Sequence, residues 1–336
     1  MDPGTGNLRA VISPDVAAAV DRLEHEKVIA PAQARLFGRV AQGDLVSLSP
    51  ALHALLYLGT AALTTGVGLL FRTEIANLGP ITIALAVALA SGGCLTWVAR
   101  KSPGFTASEA RSPHFAFDYA LVLGALLAAA DLAFVESRFS PLGAEWAFHL
   151  LVVALFYAAL AFRFDSRTMF GLALTSFAAW RGVSVANSGS SLIGFFDETV
   201  VVRLNALACG LLFVFLGRVL VQRRFKAHFE PTAVHLGWLL ILQSIAWGLW
   251  DGPTAVQHRL ALMATGAGLA WMAWRGGRFV LFVFGVLAAY FAFMVMAADI
   301  LDDATPVLLL TSISAISLVF GLAAIHRRFP REAEEE

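Results

Sequence analysis

Between Ala51 and Phe71 the chain reads ALHALLYLGTAALTTGVGLLF, an apolar run as long as the helix needed to cross a ~30 Å hydrocarbon core. Comparable runs recur as far as residue 325, separated by short polar breaks. Lipid offers no partner to backbone polar groups, so only helices and closed barrels span it, and runs this long select the helix. The pattern predicts an all-α fold: a polytopic integral membrane helical bundle of about ten transmembrane helices, preceded by a short N-terminal cytoplasmic helical pair. The expected spans are 51 to 71, 80 to 99, 118 to 136, 146 to 163, 169 to 186, 200 to 220, 232 to 250, 260 to 274, 279 to 298 and 306 to 325. The eighth of these is short for a crossing.

Composition supports this class. Hydrophobic residues make up 58% of the chain and charged residues 14%, against about 25% charged in ordinary soluble domains; the mean hydropathy is +0.73. The formal net charge of zero leaves no global basic surface for nucleic acid. Cys94 and Cys209 both fall within apolar runs, where a thiol behaves as a small hydrophobe, so no disulfide framework is expected. The start, MDPGTGNLRA, lacks the cationic region and apolar core of a removable signal peptide.

Charge is distributed by position. With the N-terminus inside, the inner loops collect Arg100, Lys101 and Arg111, then Arg163 and Arg167, Arg223, Arg224 and Lys226, and Arg275 and Arg278, with Arg327, Arg328 and Arg331 in the tail. The outer loops hold Arg72, Arg138 and Arg259 beside Glu136, Glu145, Asp197, Glu198, Asp251, Asp302 and Asp303. Cytoplasmic loops are the Lys/Arg-rich ones, so an even number of spans with both termini cytoplasmic is expected, in a bacterial inner membrane. Trp97, Trp271 and Trp274 fall near inner ends and Trp146, Trp247 and Trp250 near outer ends, as headgroup-level anchors do. Small residues four apart, such as Gly124 and Ala128, Ala206 and Gly210, and Ala264 and Gly268, would let helix backbones approach closely.

The chain divides into a helical-pair module (1–50), a bundle (51–326, with halves at 51–186 and 200–326) and a charged tail (327–336). In the module, Ser13-Pro14 is an N-cap signal, and Val16, Val20 and Leu23 then form one stripe. Residues 14–42 could dock on a cytoplasmic protein partner as an amphipathic element, or simply cap the bundle.

Ionisable residues inside spans are costly, at least ~2.5–3.5 kcal/mol at mid-membrane. Asp131 and Arg181 sit at similar depth in the outer half and are expected to form an ion pair. His149, Arg203, Asn205 and Gln243 come to the same half, with Asp299 closing the ninth span. Facing one another, these groups would enclose a polar pocket open to the outside, its arginines suited to a carboxylate or phosphate. The plainer reading is a structural Asp131–Arg181 bridge with Arg203 snorkelling to the surface.

No motif names a reaction, a cofactor or a metal. Glu24-His25-Glu26 lacks the second histidine of a zinc hydrolase helix. Gly66-Val67-Gly68 lies inside an apolar run instead of at a phosphate-binding turn, and Ser188 to Ser191 have no paired histidine and base in view. His53, His149, His228, His235, His258 and His326 show no metal-ligand spacing.

The run DRLEHEKVIAPAQARLFGRV, followed by LLYLGTAALTTGVGLLFRTEIANLGP, resembles the start of the bacterial membrane proteins grouped as domain of unknown function 2157. Leu23, Ile29, Gln33-Ala34, Leu58-Gly59 and Gly66 carry the likeness over roughly the first hundred residues. Where that family carries a tryptophan after its first span, this chain has Arg72 and Glu74. The resemblance implies an integral membrane protein with a cytoplasmic helical pair, and no activity. Three functions fit the whole: a small-molecule permease built from two sets of five spans, its pocket suited to an anionic group; a membrane-anchored scaffold or sensor acting through its N-terminal pair; or an enzyme acting on a lipid-linked substrate.

Overall fold

The computed structural model of the chain describes residues 79–102, 104–105, 115–187, 198–301 and 304–326, with isolated helical positions between 22 and 66. The N-terminal pair, the first expected span and the charged tail therefore lie outside the described residues, apart from those positions. The chain divides into two compact units, Met1–Gly66 and Val67–Glu336; the second is described here.

Among the described residues there is no strand, and nine long helices follow one another. They are α1 (Pro80–Lys101), α2 (Phe115–Phe139), α3 (Phe148–Phe164), α4 (Arg167–Asn187), α5 (Glu198–Gln222), α6 (Glu230–Ala246), α7 (Ala255–Arg275), α8 (Phe279–Leu301) and α9 (Ala304–His326). Local chemistry sets several of the ends. Proline occupies the first turn of α1 and α6, where its missing N–H costs nothing. Arg100 and Lys101 close α1 against its negative dipole end. Gly277, at φ +69°, makes the tight α7–α8 turn in a backbone region that other residues enter at a cost.

Six helical segments are long and apolar enough to cross a membrane: Pro80–Lys101, Ala116–Phe139, Thr199–Gln222, Ala227–Trp250, Phe279–Leu301 and Thr305–His326. Six such helices fit a multi-pass membrane protein. The fourth segment is α6 with a 3₁₀ turn at each end, Ala227–Phe229 and Trp247–Trp250. Three further expected spans correspond to α3, α4 and α7, which fall short of that standard. The first is apolar but only 17 residues long, while α4 holds Arg167 and Arg181, and α7 holds His258, Arg259 and Arg275.

The eighth span, expected at 260–274, is longer than its apolar run. As α7 it begins at Ala255 and covers 21 residues, about 31 Å at ~1.5 Å per residue. Gln257, His258 and Arg259 interrupt the hydropathy but not the helix, because both the histidine and the arginine find partners on other elements.

Helices α1/α2, α3/α4, α5/α6 and α7/α8 pack as antiparallel hairpins, α9 lies on α8, and α6 also touches α4, α7 and α8. One apolar core joins α1 to α6 through Val98, Phe117, Leu121, Tyr157, Met169, Phe213 and Phe229. A second, centred on Leu242, Leu249, Leu262, Leu269 and Leu281, joins α6 to α8. Helix α6 belongs to both. Outside these cores the surface is apolar: Leu85, Leu89, Phe215, Leu308, Ile313 and Phe320 are exposed, as lipid-facing residues are in a chain of this class. Hydroxyls on α9 are satisfied within their own helix, Thr311 donating to the Val307 carbonyl (2.7 Å) and Ser312 to that of Leu308 (2.7 Å).

Glycines set the closest crossings. A Cβ on Gly210 of α5 would stand 2.7 Å from the Gly237 carbonyl oxygen of α6, and one on Gly266 of α7 would stand 2.6 Å from that of Gly285 on α8. Both hairpins close by backbone-to-backbone contact that no other side chain permits. At one end of the bundle, Asp165 and Lys226 both adopt left-handed conformations, at φ 61° and 49°. Their turns are bolted together: Lys226 Nζ donates to Asp165 Oδ1 at 2.7 Å, and His228 Nε2 lies 2.8 Å from the same oxygen.

Candidate functional site

The opposite end of α5–α8 carries a second polar cluster. Chain geometry brings it together: the 3₁₀ turns after α6, Trp247–Trp250 and Gly252–Thr254, fold the chain back so that the start of α7 faces α5 and the end of α8. Arg203, on α5, donates to Asp251 in the turn and, from its other terminal nitrogen, to His258 Nε2 at 2.8 Å. Next along α7, Arg259 is buried; it donates through Nε to the Leu249 carbonyl (3.1 Å) and pairs with Asp299 at the end of α8. Arg259 thereby satisfies a carbonyl at the end of α6 and fastens α7 to α8.

The protonation of His258 is set by its neighbours. Its Nδ1 lies 2.9 Å from the Thr254 carbonyl oxygen, which can only accept, so Nδ1 carries the proton. Nε2 faces an arginine N–H, which can only donate, so Nε2 is the bare acceptor. The imidazole also rests on the backbone of Gly248, where any Cβ would overlap the ring.

Beside the cluster opens a cavity of about 600 Å³ lined by Gln243, Ala246, Trp247, Trp250, Asp251 and Phe291. Asp251 belongs to both, so the cluster meets the cavity wall through that carboxylate. The indoles of Trp247 and Trp250 are exposed, and Trp250 meets Phe291 edge to face at 6.1 Å between ring centres. Two guanidinium groups and two carboxylates balance in the cluster, leaving it neutral while His258 is neutral.

Of the residues expected to share a pocket, Gln243 lines the cavity and Arg203 reaches its wall through Asp251. Asp299, expected in the same half, enters through Arg259. Asn205 is half-buried on α5, two residues from Arg203. The expected Asp131–Arg181 ion pair is not formed. Asp131 Oδ1 on α2 is buried without a hydrogen-bond partner, and Arg181 on α4 lies 5.5 Å from the ring centre of its neighbour Trp180. The two helices share one apolar core, but α2 packs chiefly on α1 and α4 chiefly on α3, so equal depth does not by itself bring the two side chains together. His149 is held locally by the Trp146 carbonyl and lies 5.9 Å from the Trp146 ring, at the start of α3.

Asp251, His258, Arg259, Trp247, Trp250 and Phe291 were not legible as site residues. Their signal was a polar triplet, Gln257-His258-Arg259, at the start of a run otherwise long enough to span. Among the described residues no group of three or more histidine, cysteine, aspartate or glutamate side chains could hold a metal. Comparison of the chain with protein-family models, with curated proteins and with solved structures finds no match.

Proposed function

We propose that this multi-pass membrane protein is a small-molecule permease of a bacterial cytoplasmic membrane, with ten spans, both termini cytoplasmic, and a substrate groove at the outer end of α6. The observation that carries this reading is the cavity of about 600 Å³, within the ~300–1,000 Å³ typical of small-ligand sites. It combines aromatic walls with one amide, Gln243, and one carboxylate, Asp251, which is paired with Arg203. A merely structural ion cluster needs no adjoining aromatic cavity. The charge alternation across the loops supports the orientation. The likeness of the first hundred residues to domain of unknown function 2157 agrees with a membrane protein and adds no activity.

The test is a thermal-stability screen of the purified protein in detergent against organic anions, cations and neutral solutes, with Gln243→Ala and Trp250→Ala in parallel. A solute present at ~100 times its Kd stabilises the folded state by ~2.7 kcal/mol. At least one class is expected to raise the melting temperature of the wild type and to do so far less in the two variants. If no class shifts a well-folded wild type, function moves to the N-terminal pair, and deleting residues 1–45 is then the change that removes it.

A further inference from the structure

We infer that His258 is a proton-binding site whose proton brings an organic anion into the groove, so that the two bind together; this rests on the reading of the groove as a small-molecule site. As the structure stands, Arg203 and Arg259 are matched by Asp251 and Asp299, and an anion entering beside Asp251 would meet no uncompensated positive charge. One proton changes that balance.

Nδ1 of His258 already holds a hydrogen against the Thr254 carbonyl, so an added proton must go to Nε2, which faces Arg203 at 2.8 Å. An acceptor then becomes a donor, pointing at another donor that is itself cationic. Arg203 and the imidazolium cannot keep that contact. The charged groups around the imidazole are Arg203 from α5, Asp251 from the turn, Arg259 from α7 itself and Asp299 from α8. Helix α6 supplies no charged residue between Gly237 and Trp250. The cluster gains one net positive charge, and Arg203 is released from one of its two partners toward the wall that Asp251 forms.

The ring rests on Gly248, within the 3₁₀ turn that carries Trp247 and Trp250, so its displacement also moves the aromatic wall. The site becomes one that takes a monoanion with an aromatic or apolar body, its negative group on the freed guanidinium and its body against the indoles. Proton and anion enter as an electrically neutral pair.

The test uses the full-length protein in detergent and two probes that hold their charge at every pH: benzenesulfonate and benzyltrimethylammonium. Tryptophan fluorescence reports binding, and a pH electrode in weakly buffered solution reports proton uptake. Benzenesulfonate is expected to bind with uptake of about one proton per anion, its affinity falling about tenfold per pH unit on the alkaline side, while His258→Gln, whose amide oxygen can still accept from Arg203, loses both effects. Benzenesulfonate binding with no proton uptake, or uptake unchanged in His258→Gln, overturns the inference and leaves the groove standing as a ligand site. Tighter binding of benzyltrimethylammonium than of benzenesulfonate at acid pH also overturns it, since the groove would then be a cation site. Binding of neither probe, with no hit in the wider solute screen, removes the groove reading as well. Should His258→Gln melt below the wild type, proton uptake by the wild type still decides.

Discussion

Lys226 has 1% of its side chain exposed and Asp165 has 4%. Charges so enclosed are stable only in company; Asp165→Ala takes the carboxylate from Lys226, whereas Lys226→Ala leaves Asp165 with His228. Asp165→Ala is expected to cost ~3–5 kcal/mol and Lys226→Ala less, with the double variant no worse than Asp165→Ala alone, measured as a double-mutant cycle on thermal or denaturant unfolding. Additive losses would mean that the two residues do not act as a pair. The glycines give a second residue-scale prediction. Gly210→Ala places a Cβ 2.7 Å from a backbone oxygen and is expected to destabilise by ~1–3 kcal/mol as overpacking does. Gly268→Ala meets nothing within 4 Å and is expected to leave stability unchanged or to raise it, by up to ~1 kcal/mol from helix propensity. At this scale the sequence was partly readable. Four-residue spacing pointed to Gly124 and Gly210, whose added Cβ atoms would stand 2.9 Å and 2.7 Å from a neighbour, but it also pointed to Gly268, when the crossing is made by Gly266. Spacing alone does not say which face of a helix meets its partner.

At the scale of elements, the expected and observed helix limits lie within a few residues wherever the chain is described, because hydropathy and polar breaks mark a span at both ends. Helix α7 shows where that signal fails. Its first turn is polar, and it is helical because Arg259 caps the Leu249 carbonyl and reaches Asp299 while His258 meets Arg203. Those partners are 10, 40 and 55 residues away in sequence, so no local window could reveal them. The same limit explains Asp131 and Arg181, where depth was readable and helix adjacency was not. Arg259→Leu is expected to loosen the start of α7, seen as faster amide hydrogen exchange over residues 249–262 than in the wild type, with exchange in α1 and α2 unchanged. Equal protection in both proteins would mean that the pairing does not hold the turn.

For the molecule as a whole, the proposed permease has ten spans, an inside-positive orientation and a groove at the outer end. Orientation is directly testable in a background with Cys94 and Cys209 replaced by serine. Cysteines at Leu142 and Pro253, both exposed in turns of the outer end, are expected to react with a membrane-impermeant maleimide in intact cells. Cysteines at Lys101 and Arg224, exposed at the other end, are expected to react only after the cells are opened. The reverse pattern would place the groove in the cytoplasm. The central claim, that the bundle carries a solute through the site beside α6, is tested most directly by flux. Proteoliposomes containing the wild type, or Trp250→Ala, would be loaded with unlabelled benzenesulfonate and challenged with the labelled compound outside. The account predicts counterflow into wild-type vesicles, weaker counterflow into the variant's, and none into protein-free vesicles. Equal flux in all three preparations, from protein shown to be folded, would contradict it.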